Sequence, residues 1–188
     1  MVTKELVQCL KNKDFDSAVQ RFRNHRDAFR YKHNIMTLLN VCYKHEHLDT
    51  AIEIVDVLRT HHGTVVEQAY LALIRCHTAK DTPADILTEQ IEIAKALVVE
   101  MESQNSLEMK PRLRTYQPIL AAICRQGDLK RVLLLAREML DKGIEPKAEQ
   151  VGMILTCAIH GGDLQADDVI KGDLRSILNS ISFSLLGV

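Results

Sequence analysis

Residues 109–146 read MKPRLRTYQPILAAICRQGDLKRVLLLAREMLDKGIEP, and this stretch decides the fold. It holds two helical patterns. The first begins after Leu113 and sets Tyr116, Ile119, Leu120, Ile123 and Cys124 on one face, the three-and-four spacing of an amphipathic helix. Gln126-Gly127-Asp128 ends it. The second runs from Leu129 and repeats the spacing with Val132, Leu133, Leu135, Ala136 and Met139. Gly143 then supplies a stop, and Pro146 bars continuation because it has no N–H to donate. Two helices joined by a three-residue turn form an αα-hairpin. One hairpin leaves an apolar face of each helix in water, so it requires neighbours.

The sequence supplies them by repetition. Moving forward 35 residues carries Gly127-Asp128-Leu129 onto Gly162-Asp163-Leu164, and Ile119-Leu120 onto Ile154-Leu155. Upstream the period is 33, relating Cys9 to Cys42, Phe15 to Leu48 and Ala18 to Ala51. Periods of this size mark stacked helical repeats, each burying the face its neighbour exposes. The expected helices are Thr3–Leu10 with Asp14–Arg26, His33–Tyr43 with Leu48–Arg59, Val65–His77 with Thr88–Glu102, the opening hairpin, and Lys147–His160. About ten extra residues, around Thr78–Leu87, enter the third unit. Thr82-Pro83 there is a good helix start, so the insertion lengthens the following helix backward or adds a short turn. Small residues (Ala18, Ala51, Ala94) fall where helices must approach closely. The fold class is therefore all-α: a right-handed α-solenoid of four to five helix-turn-helix repeats. The array spans 1–162, with units near 1–31, 32–64, 65–112, 113–147 and 148 onward. Residues 163–188 form an atypical or truncated C-terminal capping helix, with Ile170, Leu174, Ile177, Leu178 and Ile181 at helical spacing. Tetratricopeptide repeats have a similar period, but their first helix calls for Trp, and this chain has none.

The punctuation is more specific than the period. Thr115-Tyr116 opens a first helix, Gly127 turns, Met139 comes late in the second helix, and Gly143-Ile144-Glu145-Pro146 leaves it. This unit resembles the pentatricopeptide repeat. The run Pro111-Arg112-Leu113-Arg114-Thr115-Tyr116, with Pro118 two residues on, is similar to the signature repeat of the protein-only ribonuclease P family. In that family too the preceding repeat carries an insertion. The resemblance covers about residues 1–160. It implies a pentatricopeptide domain that grips precursor tRNA while a metallonuclease domain removes the 5′ leader. It also implies a zinc-bound connector and a Mg- or Mn-dependent nuclease domain, neither of which is visible in these residues. No C-x-x-C pair and no βαβ pattern occur, so no cofactor is expected in this chain, and catalysis is not expected of it alone.

In such solenoids two or three side chains can read one base per repeat. The reading positions pair Thr3 with Tyr31, Met36 with Thr64, Ala69 with Arg112, and Gln117 with Lys147; Gly152 opens a fifth unit. None of these pairs matches a Watson–Crick edge. The pattern points away from a single-strand reader and toward a folded RNA held by shape and phosphate contacts, for which Arg and Lys suffice. The expected RNA-binding residues are Lys110, Arg112, Arg114, Gln117 and Lys147 at the repeat joints, with Arg30 and Lys32 from the basic run Arg21–Lys32. That run holds one acid, Asp27. Acids concentrate instead between Asp81 and Glu102. Tyr116 is expected in the core.

Composition excludes other classes. Net charge is −1, so no bulk basic field is present. No apolar run is long enough for a membrane span, and no targeting segment is readable. The five cysteines lie among apolar residues without paired spacing, as reduced thiols do. An intracellular protein is expected, with mitochondrion or nucleus as compartments the family occupies. Cys42-x-x-His45-x-His47 invites a metal, but it falls in an interhelical turn with no second cysteine nearby. The alternative function is a helical-repeat scaffold for a protein partner.

Overall fold

A computed structural model describes residues 2–25, 32–45, 47–62, 65–104, 109–160, 171–172 and 174–179. Among them there is no strand. The helices are α1 (Val2–Lys11), α2 (Phe15–Asn24), α3 (Lys32–His45), α4 (Leu48–His62), α5 (Glu67–His77), α6 (Ala84–Ser103), α7 (Leu113–Gln126), α8 (Leu129–Asp141) and α9 (Ala148–His160). Residues 171–172 and 174–179 are also helical, with Leu174 and Ile177 buried. The rest of the expected C-terminal helix lies outside the described residues, as do Gly162-Asp163-Leu164.

Each helix falls where the periodicity put it, and the largest shift is at α6. Its 20 residues show the insertion lengthening the helix backward. The Pro83 carbonyl accepts from Ile86 N–H at 3.3 Å and Leu87 N–H at 3.0 Å. Proline suits such a start because the first-turn N–H groups have no intrahelical partner.

The chain forms two compact units, Met1–Ala79 with Ala96–Lys110, and Lys80–Lys95 with Pro111–Val188. In the first, α1 packs on α2, α3 on α4, and α5 against both α3 and α4. Leu6, Ala18, Phe22, Leu38, Leu39, Ala51, Ile54, Ala69 and Ile74 are fully buried there. Each large aliphatic among them contributes about 1.5–3 kcal/mol by leaving water. Ala18 and Ala51, small residues between packed helices, are 0% exposed. In the second unit α7 packs on α8, and α9 on both. Tyr116, Ile119, Leu120, Leu129, Val132, Ala136, Met139 and Ile154 form its core.

Turn chemistry explains the sharp corners. Gly127 adopts φ 72°, ψ 12°, a left-handed cap that glycine takes without strain. Asp128 then caps α8, its carboxylate accepting from Arg131 N–H at 3.0 Å. The α1–α2 corner has the same plan, with Asp14 accepting from Ser17 N–H at 3.2 Å. There the left-handed residue is Lys13, at φ 59°.

Candidate nucleic-acid interface

The stretch Pro111–Tyr116 enters α7 through a reciprocal lock. Arg112 N–H donates to the Thr115 hydroxyl at 3.1 Å, and Thr115 N–H donates to the Arg112 carbonyl at 2.8 Å. Thr115 is fully buried. Extended backbone at Arg112 (φ −127°, ψ 174°) feeding this lock turns Thr115 and Tyr116 inward and leaves Arg112 and Arg114 exposed. Tyr116 is a core residue, 1% exposed. Its hydroxyl donates to Glu138 at 3.3 Å and accepts from the Lys142 ammonium at 2.9 Å. Lys142 also pairs with Glu138 at 2.8 Å, so this cation is committed within the fold.

At the start of α9, Lys147 N–H donates to the Gln150 side-chain oxygen at 3.1 Å. Gln150 is buried, while the Lys147 side chain is exposed. Gln117 donates to the Glu149 carboxylate at 2.8 Å, tying the first turn of α7 to that of α9. Arg112, Arg114 and Lys147 therefore share one end of the hairpin stack, beside two helix N-termini whose dipoles add positive potential. Gln117 thus ties the two first turns together while staying partly exposed. Lys110 is exposed and belongs to the first unit. Lys32 opens α3, and Arg30 lies outside the described residues.

Two of the reading positions are occupied by core residues. Met36 is 9% exposed and Ala69 is 0%, so both are core. Tyr31 and Thr64 lie outside the described residues.

Two cations of the basic run Arg21–Lys32 are paired within the fold. Arg21 pairs with Glu5 at 2.5 Å and Arg23 with Glu53 at 3.1 Å; both acids come from other helices. Acids of α6 are committed too. Glu92 pairs with Arg131, and Glu100 receives Arg59 at 2.7 Å. Arg59 is drawn down by burial, but hydrogen bonds and charge from Glu100, with Asp56, outweigh that and hold it above its usual range. One pairing joins residues far apart in the chain: the Arg75 guanidinium lies 5.4 Å from the centroid of the Tyr43 ring.

The cysteines are all free thiols, and burial pushes Cys42, Cys76 and Cys124 up to about 12. Among the described residues no group of three His, Cys, Asp or Glu could hold a metal ion. No helix among them is long and apolar enough to cross a membrane.

A family model described as the pentacotripeptide-repeat region of PRORP matches residues 2–178. Among solved structures, nuclear proteinaceous RNase P 2 (PRORP2) from Arabidopsis thaliana superposes with TM-score 0.72 at 18% identity over 94% of this chain. The chain spans 37% of that protein's length. The PPR domain of Arabidopsis thaliana protein-only RNase P 1 (PRORP1), solved in complex with tRNA, gives TM-score 0.69 at 20% identity, covering 97% of this chain and 88% of that domain. No curated protein matches by sequence. At these identities the structural likeness carries the fold: an α-solenoid of pentatricopeptide type.

Proposed function

Because the chain belongs to the family of PRORP pentacotripeptide-repeat regions, we propose that it is an RNA-binding module that positions precursor tRNA for 5′-leader removal. The cut itself falls to a ribonuclease P-type metallonuclease domain. The similar PRORP1 domain holds tRNA, which supports this choice of ligand. The observation that carries the reading is the locked entry to α7. It holds Arg112 and Arg114 outward at the end of the stack where Lys147 is also exposed. Cations on a rigid frame suit phosphates of a folded RNA, whose duplex grooves display shape and backbone rather than sequence. Lys110 is a further exposed cation for the same role, and Arg30 and Lys32 join it on the strength of the sequence alone.

The test is a mobility shift with precursor tRNA across a salt series. Each phosphate neutralised contributes about −0.7 to −0.9 to the slope of log K against log salt. Replacing Arg112 and Arg114 with Ala should flatten the slope by about 1.5 and weaken binding at every salt concentration. Binding to the wild-type chain that is absent, or indifferent to salt, refutes the reading. The alternative, a scaffold for a protein partner, has less behind it. Among the described residues the most exposed large apolar side chains, Val99, Leu134 and Ile159, sit on three different helices, and scattered apolar residues are ordinary surface.

A further inference from the structure

The most enclosed helix of the first unit is α5. Nine of its eleven residues, Glu67, Ala69–Ile74, Cys76 and His77, are buried. Only Gln68 and Arg75 reach solvent, and at seven residues apart they lie on the same face, about 10 Å from each other along the axis. The neighbouring helix α3, packed on α5, carries Tyr43 and Lys44 in its last turn, both exposed, and Asn40 is exposed about one turn earlier. At this place Arg75 meets Tyr43 at 5.4 Å from the ring centroid.

Two features set Arg75 and Tyr43 apart among the described residues of the unit. Arg21, Arg23 and Arg59 each have a carboxylate. Arg75 has none among the described residues, and a ring contact leaves its N–H donors without oxygen acceptors. Tyr43 is also the exposed exception among the described tyrosines: it is 38% exposed, whereas Tyr70 and Tyr116 are at 0% and 1%. A partly open aromatic ring beside an uncompensated guanidinium and an exposed lysine has the makings of a stacking platform. Aromatic rings and guanidinium planes accept an unstacked nucleobase, and Arg and Lys take the adjoining phosphate.

We infer that Tyr43 and Arg75 form a binding subsite for one unpaired nucleobase of the RNA and its flanking phosphate, with Lys44 as a second cation. This rests on the RNA-binding reading above and adds to it a contact made by a base face. Stacking needs no particular hydrogen-bond edge, so the subsite demands an exposed base rather than a particular letter. That fits a chain whose Met36 and Ala69 are buried in the core.

The experiment uses precursor tRNA with 4-thiouridine at unpaired positions, photocrosslinked to the wild-type chain, with the adduct mapped by mass spectrometry. Affinity is measured in parallel for Tyr43→Leu, Tyr43→Phe and Arg75→Gln, with melting temperature read for each. An adduct on the peptide containing Tyr43 is expected. Tyr43→Leu should weaken binding about fivefold or more, the loss of one stacked base, and Tyr43→Phe should stay within about twofold, since the ring is kept. Arg75→Gln should flatten the salt slope by about 0.7–0.9. Adducts confined to other peptides, or Tyr43→Leu binding like wild type, overturn the subsite and leave the RNA reading standing. A drop in affinity for Tyr43→Leu matched by Tyr43→Phe also overturns it. If the wild-type chain binds no precursor tRNA, the broader reading fails first.

Discussion

Glu100 is the hub of the first unit, and removing it should unfold that unit early. Its carboxylate accepts from the Tyr70 hydroxyl at 2.7 Å and from Arg59 Nη2 at 2.9 and 2.7 Å. Gln104 in turn donates to the Tyr70 oxygen at 2.7 Å. The contacts join α4, α5 and α6. The arginine and glutamate side chains are 37% and 39% exposed, so solvent screens the ion pair, which contributes at most about 1 kcal/mol. The Tyr70 contact matters more. The residue is 0% exposed, and a buried donor left without its acceptor costs about 1–3 kcal/mol. Glu100→Ala should therefore destabilise by about 3 kcal/mol, which for a chain of this size lowers the melting temperature by roughly 6–12 °C. Glu89→Ala, on an exposed position of the same helix, is the control. Burial, with the Glu100 hydrogen bond and charge behind it, pushes Tyr70 up to about 12. Glu100→Gln removes the charge, so the Tyr70 hydroxyl should titrate lower, visible as an earlier phenolate rise in ultraviolet absorbance. If Glu100→Ala melts within a degree or so of the control, the network is ornamental and the assignment of Tyr70 to it is wrong.

Three other changes test the packing. Cys42, Cys76 and Cys124, raised from 9.0 to about 12, should react with a soluble thiol reagent at pH 8 about a thousandfold more slowly than in the unfolded chain, because the thiolate is the nucleophile. Their protonated form is favoured by folding, so the stability they contribute is complete below about pH 9 and drains away as pH climbs toward 12; the melting temperature should fall across that window. Gly127→Ala should cost about 1–2 kcal/mol by strain in the left-handed cap alone, since an added Cβ meets nothing within 4 Å. Lys13→Gly should do the reverse at the α1–α2 corner and raise the melting temperature by a few degrees, since Lys13 sits at φ 59° where glycine is unstrained.

The opening hairpin was legible because every signal in it is local. The apolar face, Gly127, Asp128 and Gly143 each act within four residues of their effect, and the structure places them as the pattern does. Helix α6 was legible in outline for the same reason, through Pro83. What stayed hidden is the set of contacts between elements. Arg21 and Arg23 stand in a run with a single acid, yet their partners are 16 and 30 residues away. Arg59 finds Glu100 after 41 residues. Gln117 looks like a reading position in sequence, and only the packing of α9 shows that it is tied to Glu149. Tyr43 and Arg75 belong to different units of the repeat, so no window short enough to read a helix contains both.

Near-neutral net charge does not count against the proposed affinity for a polyanion, because charge is sorted by helix. Helices α3 and α7, the first helices of their hairpins, contain no Asp or Glu. Helix α4 carries Asp49, Glu53 and Asp56, and α6 carries Asp85, Glu89, Glu92, Glu100 and Glu102. The acids thus concentrate on second helices, where Glu53, Asp56, Glu92 and Glu100 are occupied by arginines of the fold. Electrostatic reach in a cellular salt is about 8 Å, shorter than a hairpin helix of fourteen residues, which runs about 21 Å. At the entry of α7 the nearby carboxylates are already engaged, Glu138 by Lys142 and Tyr116 and Glu149 by Gln117, so an approaching phosphate would meet the exposed Arg112 and Arg114 there. Net charge averages over a distance the ligand never samples, and the periodic placement of acids along the chain is the better guide to which face an RNA can approach.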